Sequence, residues 1–361
     1  MDAFTRFTNE FGSWELPRLS DYILSDDTKE YLFSGYSEWK SWSELGVQAV
    51  DTYRRLMALG DKRVAHWPLM ATPWPTVSIC LFYILGCIYA PQHLQHPKRP
   101  STAASSSGVI LSIMTVYNAA IIGLNAYIAY ELAVSIAGFS WICEPVNYSD
   151  DVRAMRIASA LWWYYMSKCF EMADSLFFVL RGKFSQLTFL HVYHHSTMFA
   201  LWWIGVKYVA GGSSVFGAMF NAGVHVLMYS YYLATSLKIK WVFPLKQYLT
   251  MLQIGQFALA MAMGINAIRV GCSFPLWMQY AMVGYMVTFL ALFSNFYIQT
   301  YKRRASKCNV ENGNRDMLDS HSKKTANSNK DDKNNKNINV GGALSNNIGK
   351  PSKRRRFYVP S

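Results

Sequence analysis

Long apolar stretches separated by short polar connections leave this chain few ways to fold. Seven of them fall at about 67–90, 108–133, 157–180, 187–206, 214–236, 247–268 and 275–300. Each approaches or exceeds the ~20 apolar residues that cross the hydrocarbon core of a bilayer. At that depth no water is present to satisfy an open backbone, so the spanning segments must be helices or a closed barrel. Stretches of this length specify helices. The expected fold is an all-α integral membrane protein with seven transmembrane helices, and the short loops between 157 and 300 draw them into one bundle.

The net charge of +13 is concentrated rather than spread. The segment 302–361 alone contributes +10; it is rich in Asn, Lys and Ser and ends on Lys353-Arg354-Arg355-Arg356. Such a composition cannot bury a core and is expected to be disordered. Directly after a hydrophobic helix, a basic tail suits a cytosolic segment beside anionic lipid better than a nucleic-acid site. Residues 1–30 carry Arg6, Glu10, Glu15, Arg18, Asp21, Asp26 and Asp27 with no apolar run, so no cleavable signal peptide is expected there. The domain reading is therefore a lumenal N-terminal segment, 1–65, a seven-span domain, 66–301, and the basic tail, 302–361.

Loop charges set the orientation. Basic residues cluster in the first, third and fifth connections: Lys98-Arg99, Arg181 with Lys183, and Lys238, Lys240 and Lys246. The second carries Glu144, Asp150 and Asp151, although Arg153 and Arg156 follow it. The positive-inside rule then puts the N-terminus in the lumen and the C-terminus in the cytosol. The sequon Asn147-Tyr148-Ser149 falls in a lumenal loop under this topology. Cys143 and Cys272 are the only cysteines in lumenal loops, where a disulfide persists, and they are predicted to pair.

Several spans carry polar faces that a lipid-exposed helix would not tolerate. His191, His194 and His195 stand at i, i+3 and i+4, so they share one face of the fourth span. One buried histidine can serve simply as an interhelical hydrogen-bond partner. Three on one stripe at bilayer depth point to chemistry. Lys168, Glu171, Asp174 and Ser175 lie within one arc of the third span. An ion pair that only locks two helices would also explain them. Asn221, His225, Met228, Tyr229 and Tyr232 line one side of the fifth span, and Thr250, Gln253 and Gln256 one side of the sixth. Core packing and interhelical hydrogen bonding are the plain alternatives there.

Two reaction classes use histidine-rich membrane helices. In a metal-dependent lipid oxidase or hydroxylase the histidines ligate metal. Only four of the chain's eight histidines lie in the membrane region, too few for a di-iron site, though a single zinc completed by a carboxylate fits the count. In acyl transfer, a neutral imidazole attacks a thioester and forms an acyl-imidazole. Asn, Lys or Gln donors then stabilise the developing oxyanion. A receptor or channel with seven spans is the non-enzymatic reading.

The ordered set Lys168-x-x-Glu171-x-x-Asp174-Ser175, His191-x-x-His194-His195, Asn221-x-x-x-His225-x-x-Met228-Tyr229-x-Tyr231-Tyr232 and Thr250-x-x-Gln253-x-x-Gln256 resembles the elongases of very-long-chain fatty acids, the ELO family. The likeness runs over about 45–301. Residues 61–70 and 196–212 further resemble the animal branch acting on very long, often polyunsaturated chains. The resemblance implies a 3-ketoacyl-CoA synthase of the endoplasmic reticulum membrane, condensing acyl-CoA with malonyl-CoA and releasing CO2 and CoA. It implies spans two to seven around an acyl tunnel, with the first packed outside. His194 would be the nucleophile, His225 its partner across the cavity, His191 and His195 orienting groups, and Asn221 and Gln253 donors to reacting carbonyls. Lys168, Glu171, Asp174, Tyr229, Tyr232 and Gln256 would contribute to substrate binding. Lys168 and Arg181, with Lys302 and Arg303 as further candidates, would meet CoA phosphates or the malonyl carboxylate. No metal and no cofactor are implied. Expected partners are membrane lipid and the other enzymes of the elongation cycle, with a homo-oligomer left open and no nucleic acid. Ser175 stands where the family usually has threonine, which keeps the hydroxyl.

Overall fold

The computed structural model describes residues 26–33, 42–94 and 108–302. Two short leading helices, α1 (Asp26–Phe33) and α2 (Trp42–Ala58), precede a set of long helices. These are α3 (Trp74–His93), α4 (Gly108–Ser135), α5 (Val152–Glu171), α6 (Ala173–Leu180), α7 (Phe189–Val209), α8 (Ser214–Ser236), α9 (Lys246–Arg269) and α10 (Leu276–Tyr297). The described residues contain no strand. The chain divides at residue 294 into two units. In the second, 295–302 complete α10 and add a π-helical turn, Ile298–Lys302. The expected basic loop at 96–99, nearly all of the tail and most of 1–30 lie outside the described residues.

Helices occupy all seven apolar stretches, with two departures from the expected limits. The first begins at Trp74, not at 67, because Pro68, Pro73 and Pro75 deny the ladder its donors. The third begins at Val152, where the Asp151 side chain caps the backbone amides of Arg153 and Ala154 at 2.9 Å each. It then breaks at Met172 into α5 and α6. Four helical segments, Trp74–His93, Gly108–Ser135, Lys240–Arg269 and Leu276–Lys302, are long and apolar enough to cross a membrane. The protein is thus a helical membrane protein. α5, α6, α7 and α8 bury Lys168, Glu171, Ser175, His195, Asn221 and His225.

α4 packs along α8 and α5, α7 packs on α5 and α3, and α9 lies against α8. α3 keeps Leu81, Phe82, Leu85 and Ile88 exposed, which suits a peripheral helix facing lipid. Tyr164, Tyr165, Phe199 and Leu161 fill the centre, with the Tyr165 and Phe199 rings stacked 4.8 Å apart.

The end of the bundle around residue 210 is held by polar contacts. Arg63 and Asp61 form a buried ion pair at 2.6 Å, their side chains 2% and 1% exposed. The Arg63 guanidinium also donates to the Ala210 carbonyl at 3.1 Å. The turn before α3 gives its carbonyls to the bundle: Trp162 donates to Pro68 O at 3.1 Å, and Trp203 to Leu69 O at 2.8 Å. Cys143 is disulfide-bonded to Cys272, joining the α4–α5 and α9–α10 connections. Gly212, at φ 59°, lets the α7–α8 connection approach closely, since a Cβ there would lie 2.7 Å from the Glu144 carbonyl oxygen.

Asp61→Ala leaves the Arg63 guanidinium buried without its carboxylate. A loss of about 3–5 kcal/mol is expected, read as a lower midpoint of thermal unfolding for detergent-solubilised protein. An unchanged midpoint would show that the pair does not hold the segment to the bundle.

Candidate active site

Glu171 closes α5 with no exposed surface, and three helices converge on it. Lys168, one turn earlier, donates to both carboxylate oxygens at 3.0 Å. From α8, His225 Nδ1 lies 3.1 Å from Glu171 Oε1 and 3.4 Å from Lys168 Nζ. From α4, the Asn125 amide donates to the same oxygen at 3.4 Å. A carboxylate accepts only, so its contact with His225 selects the tautomer with the proton on Nδ1. The Nε2 lone pair of His225 is then left for chemistry.

His194 faces this assembly from α7. Its ring is 6.4 Å from that of His225 and within 27° of parallel to it. Phe289, at 5.3 Å, and Phe293, at 6.2 Å, pack against it. Of its neighbours, His191 is tied down by a hydrogen bond. His191 Nε2 is 2.7 Å from Ser175 Oγ, which also meets the Tyr83 hydroxyl at 2.9 Å. His195 is buried between them, 4.4 Å from the His191 ring and 5.1 Å from that of His194. Ring contacts, rather than hydrogen bonds, hold His194 among the described residues. His195 likewise makes ring contacts only, so among the described residues His191 is the member of the stripe held by a side-chain hydrogen bond.

The break at Met172 splits the acidic stripe. Lys168 and Glu171, on α5, face His225. Asp174 and Ser175, on α6, face elsewhere: Asp174 accepts from the Tyr229 hydroxyl at 2.7 Å, and Ser175 serves His191. Tyr232 is 39% exposed, and its ring lies 5.6 Å from that of Tyr229. Gln253 donates to Met228 Sδ at 3.4 Å. Arg181 caps α6 at the opposite end of the bundle from the disulfide, its guanidinium 3.9 Å from Met114 Sδ.

Three participants escape the sequence patterns. Tyr164 donates to Asn221 Oδ1 at 2.6 Å, and the Lys168 ammonium stands 4.6 Å above its ring. Asn125 and Tyr83 likewise sit in helices that read as plainly apolar. For Tyr164 a signal was present: it precedes Lys168 by one helical turn and Glu171 by two.

A cavity of about 210 Å³ opens beside the histidines, between α7, α8, α9 and α10. Tyr164, Asn221, Gln256 and Phe289 line it near the histidines, and Trp141, Phe216 and Trp277 line it near the disulfide. Its wall is mostly apolar. Gln256 Oε1 is buried without a hydrogen-bond partner among the described residues. Among those residues no three His, Cys, Asp or Glu side chains are grouped to hold a metal ion.

Comparison with known families gives this helical membrane protein its class. Residues 68–309 match the family described as ELO: GNS1/SUR4, and the chain belongs to it. Very long chain fatty acid elongase 4 of Homo sapiens is 44% identical over 260 residues, covering 70% of this chain and 79% of the human protein. Very long chain fatty acid elongase 5 of Tachysurus fulvidraco is 39% identical over 249 residues (68% and 82%). Very long chain fatty acid elongase 2 of Rattus norvegicus is 37% identical over 256 residues (70% and 88%). The chain is a membrane protein of very-long-chain fatty acid elongation.

Lys168→Met should destabilise the protein by about 3–5 kcal/mol, because Glu171 is left buried beside one fewer cation. Adding Glu171→Gln should restore much of that loss in thermal unfolding. Strictly additive losses would show that the two charges do not sense each other.

Proposed function

We propose that the protein is a 3-ketoacyl-CoA synthase, joining an acyl-CoA to malonyl-CoA with release of CO2 and CoA. The observation that carries this reading is His194: an imidazole without a side-chain hydrogen bond among the described residues, packed on the cavity-lining Phe289 and opposite a histidine whose Nδ1 faces Glu171.

In the first half-reaction a His194 ring nitrogen attacks the thioester carbonyl. The C–S bond breaks, and CoA leaves as the thiol, carrying the imidazole proton. An acyl-imidazole remains. In the second, malonyl-CoA loses CO2 and its enolate carbon attacks the acyl carbonyl. The C–N bond breaks, and the imidazole regains a proton from solvent. His225 Nε2 relays protons across the gap. Asn221 presents its NH2 to the reacting oxygen, because its own carbonyl already accepts from Tyr164. His191 and His195 hold the stripe in register, with His191 fixed through Ser175. Glu171 keeps the His225 tautomer and Lys168 pairs with that carboxylate, while Asp174, Tyr229, Tyr232, Gln253 and Gln256 shape the space around the acyl chain. The apolar cavity takes that chain and excludes water from the acyl-imidazole.

The remaining elements follow the same reading. All seven long helical stretches cross the membrane of the endoplasmic reticulum, N-terminus lumenal and C-terminus cytosolic, with 1–65 before the spans and a basic tail after them. No metal or cofactor takes part; acyl-CoA, polyunsaturated chains included, and malonyl-CoA are substrates delivered from the cytosol. Arg181, Lys183 and Lys246 form the phosphate-binding mouth. The enzyme works beside the others of the cycle.

Purified protein given acyl-CoA and malonyl-CoA should yield the two-carbon-longer 3-ketoacyl-CoA by mass spectrometry. His194→Ala should lower that rate by about a thousandfold or more. No product from folded wild-type protein would overturn the reading.

The mouth adds a pH dependence. Burial, with Arg181 and Lys246 nearby, lowers the Lys183 ammonium from its usual 10.5 to about 8. Its charge is present below that pH and lost above it. KM for acyl-CoA should therefore rise as pH passes through about 8, and Lys183→Arg should flatten the profile. An identical rise in the variant would remove Lys183 from the phosphate site.

A further inference from the structure

The cavity, whose lining residue Phe289 packs on His194, has a definite far end. Phe216 lies in the first turn of α8, nine residues before His225, which places it roughly 13 Å further along the helix axis. Trp141, from the α4–α5 connection, lies over it with ring centroids 4.7 Å apart and planes 27° from parallel. A second ring, Phe220, stands 6.4 Å from the indole. Both Trp141 and Phe216 line the cavity. The indole is nevertheless 57% exposed, so it has bundle interior on one side and surroundings on the other. A single layer of side chain separates the two.

The chain on either side of Trp141 is held unequally. After it, Cys143 is bonded to Cys272, and Glu144 is fixed to the α7–α8 connection: its amide donates to Ser213 Oγ at 2.9 Å, and its carbonyl accepts from the Ser213 amide at 2.9 Å. Before it comes Gly138, at φ 80°. Trp141 itself is kept in place by stacking on Phe216 and Phe220. A ring stack of this kind is worth about 0.5–1.5 kcal/mol beyond the area it buries, little enough for a chain pressing from within to displace.

We propose that Trp141 is the stop at the end of the acyl cavity, a specificity-determining residue that sets the chain length the protein accepts. The proposal rests on the condensing reading above. An acyl chain attached at His194 runs down the cavity until its methyl end meets the indole stacked on Phe216. Chains short of that point fit. A longer chain must push the indole off Phe216 and lose the contacts it made.

The test uses purified full-length protein and a series of saturated acyl-CoAs rising in two-carbon steps, with malonyl-CoA, the 3-ketoacyl-CoA products read by mass. Wild-type protein should show a drop of about tenfold or more between two adjacent members, the discrimination expected when added methylenes no longer fit an apolar pocket. Trp141→Ala should move that drop to longer chains by at least one step, and Trp141→Phe, which keeps a ring over Phe216, should leave it in place. A drop at the same length in Trp141→Ala overturns the stop. Wild-type protein that makes no product at any length instead strikes the condensing reading. In that event thermal stabilisation by the same acyl-CoA series decides the stop without turnover. The range of stabilising lengths should extend in Trp141→Ala, and an unchanged range overturns the proposal.

Discussion

A carboxylate with no exposed surface sits where three helices meet, and the site is arranged around it. Glu171 accepts from Lys168 on its own helix, from Asn125 on α4 and from His225 on α8. Taking such a charge out of water costs several kcal/mol unless donors replace the solvent. Those donors must therefore be present together and in register. Satisfying one carboxylate fixes the relative positions of α4, α5 and α8, and it fixes the proton on His225. The histidine opposite, on α7, makes no such contact and remains free to react.

The same economy appears in the rest of the polar interior. Asp174 takes Tyr229, Ser175 takes His191 and Tyr83, and Asn221 takes Tyr164. Beyond Asn221 and Gln256 the wall becomes apolar, with methionines and aromatic rings that accommodate a hydrocarbon chain without asking it for hydrogen bonds. Ser213, Ser214 and Gln279 are polar exceptions in that lining.

Much of this was legible in the sequence because apolar run length and histidine spacing are strong local signals. The helices fall where the runs are, and the His191-x-x-His194-His195 stripe does share a face. The cysteines joined in the structure are the two that loop charge alone had put on the same side. Other features depend on tertiary context. Nothing local marks Met172 as a break, so Lys168 through Ser175 read as one stripe, whereas the structure sends its two halves to different partners. Asn125 and Tyr83 sit in helices whose composition is otherwise lipid-like, and only their cross-helix partners distinguish them. The start of the first long helix was set too early because hydropathy counts Trp67, Leu69 and Met70 as apolar, while the prolines around them govern the backbone.

His194 is proposed to carry the acyl group, and mass spectrometry of the protein looks for it there. Purified protein is incubated with acyl-CoA in the absence of malonyl-CoA, quenched, and its intact and peptide masses determined. The account predicts one added acyl group, located on the peptide containing His194, released as 3-ketoacyl-CoA when malonyl-CoA is supplied, and absent in His194→Ala. An active protein that shows no acyl adduct under rapid quench, or carries it on a residue other than His194, would contradict it.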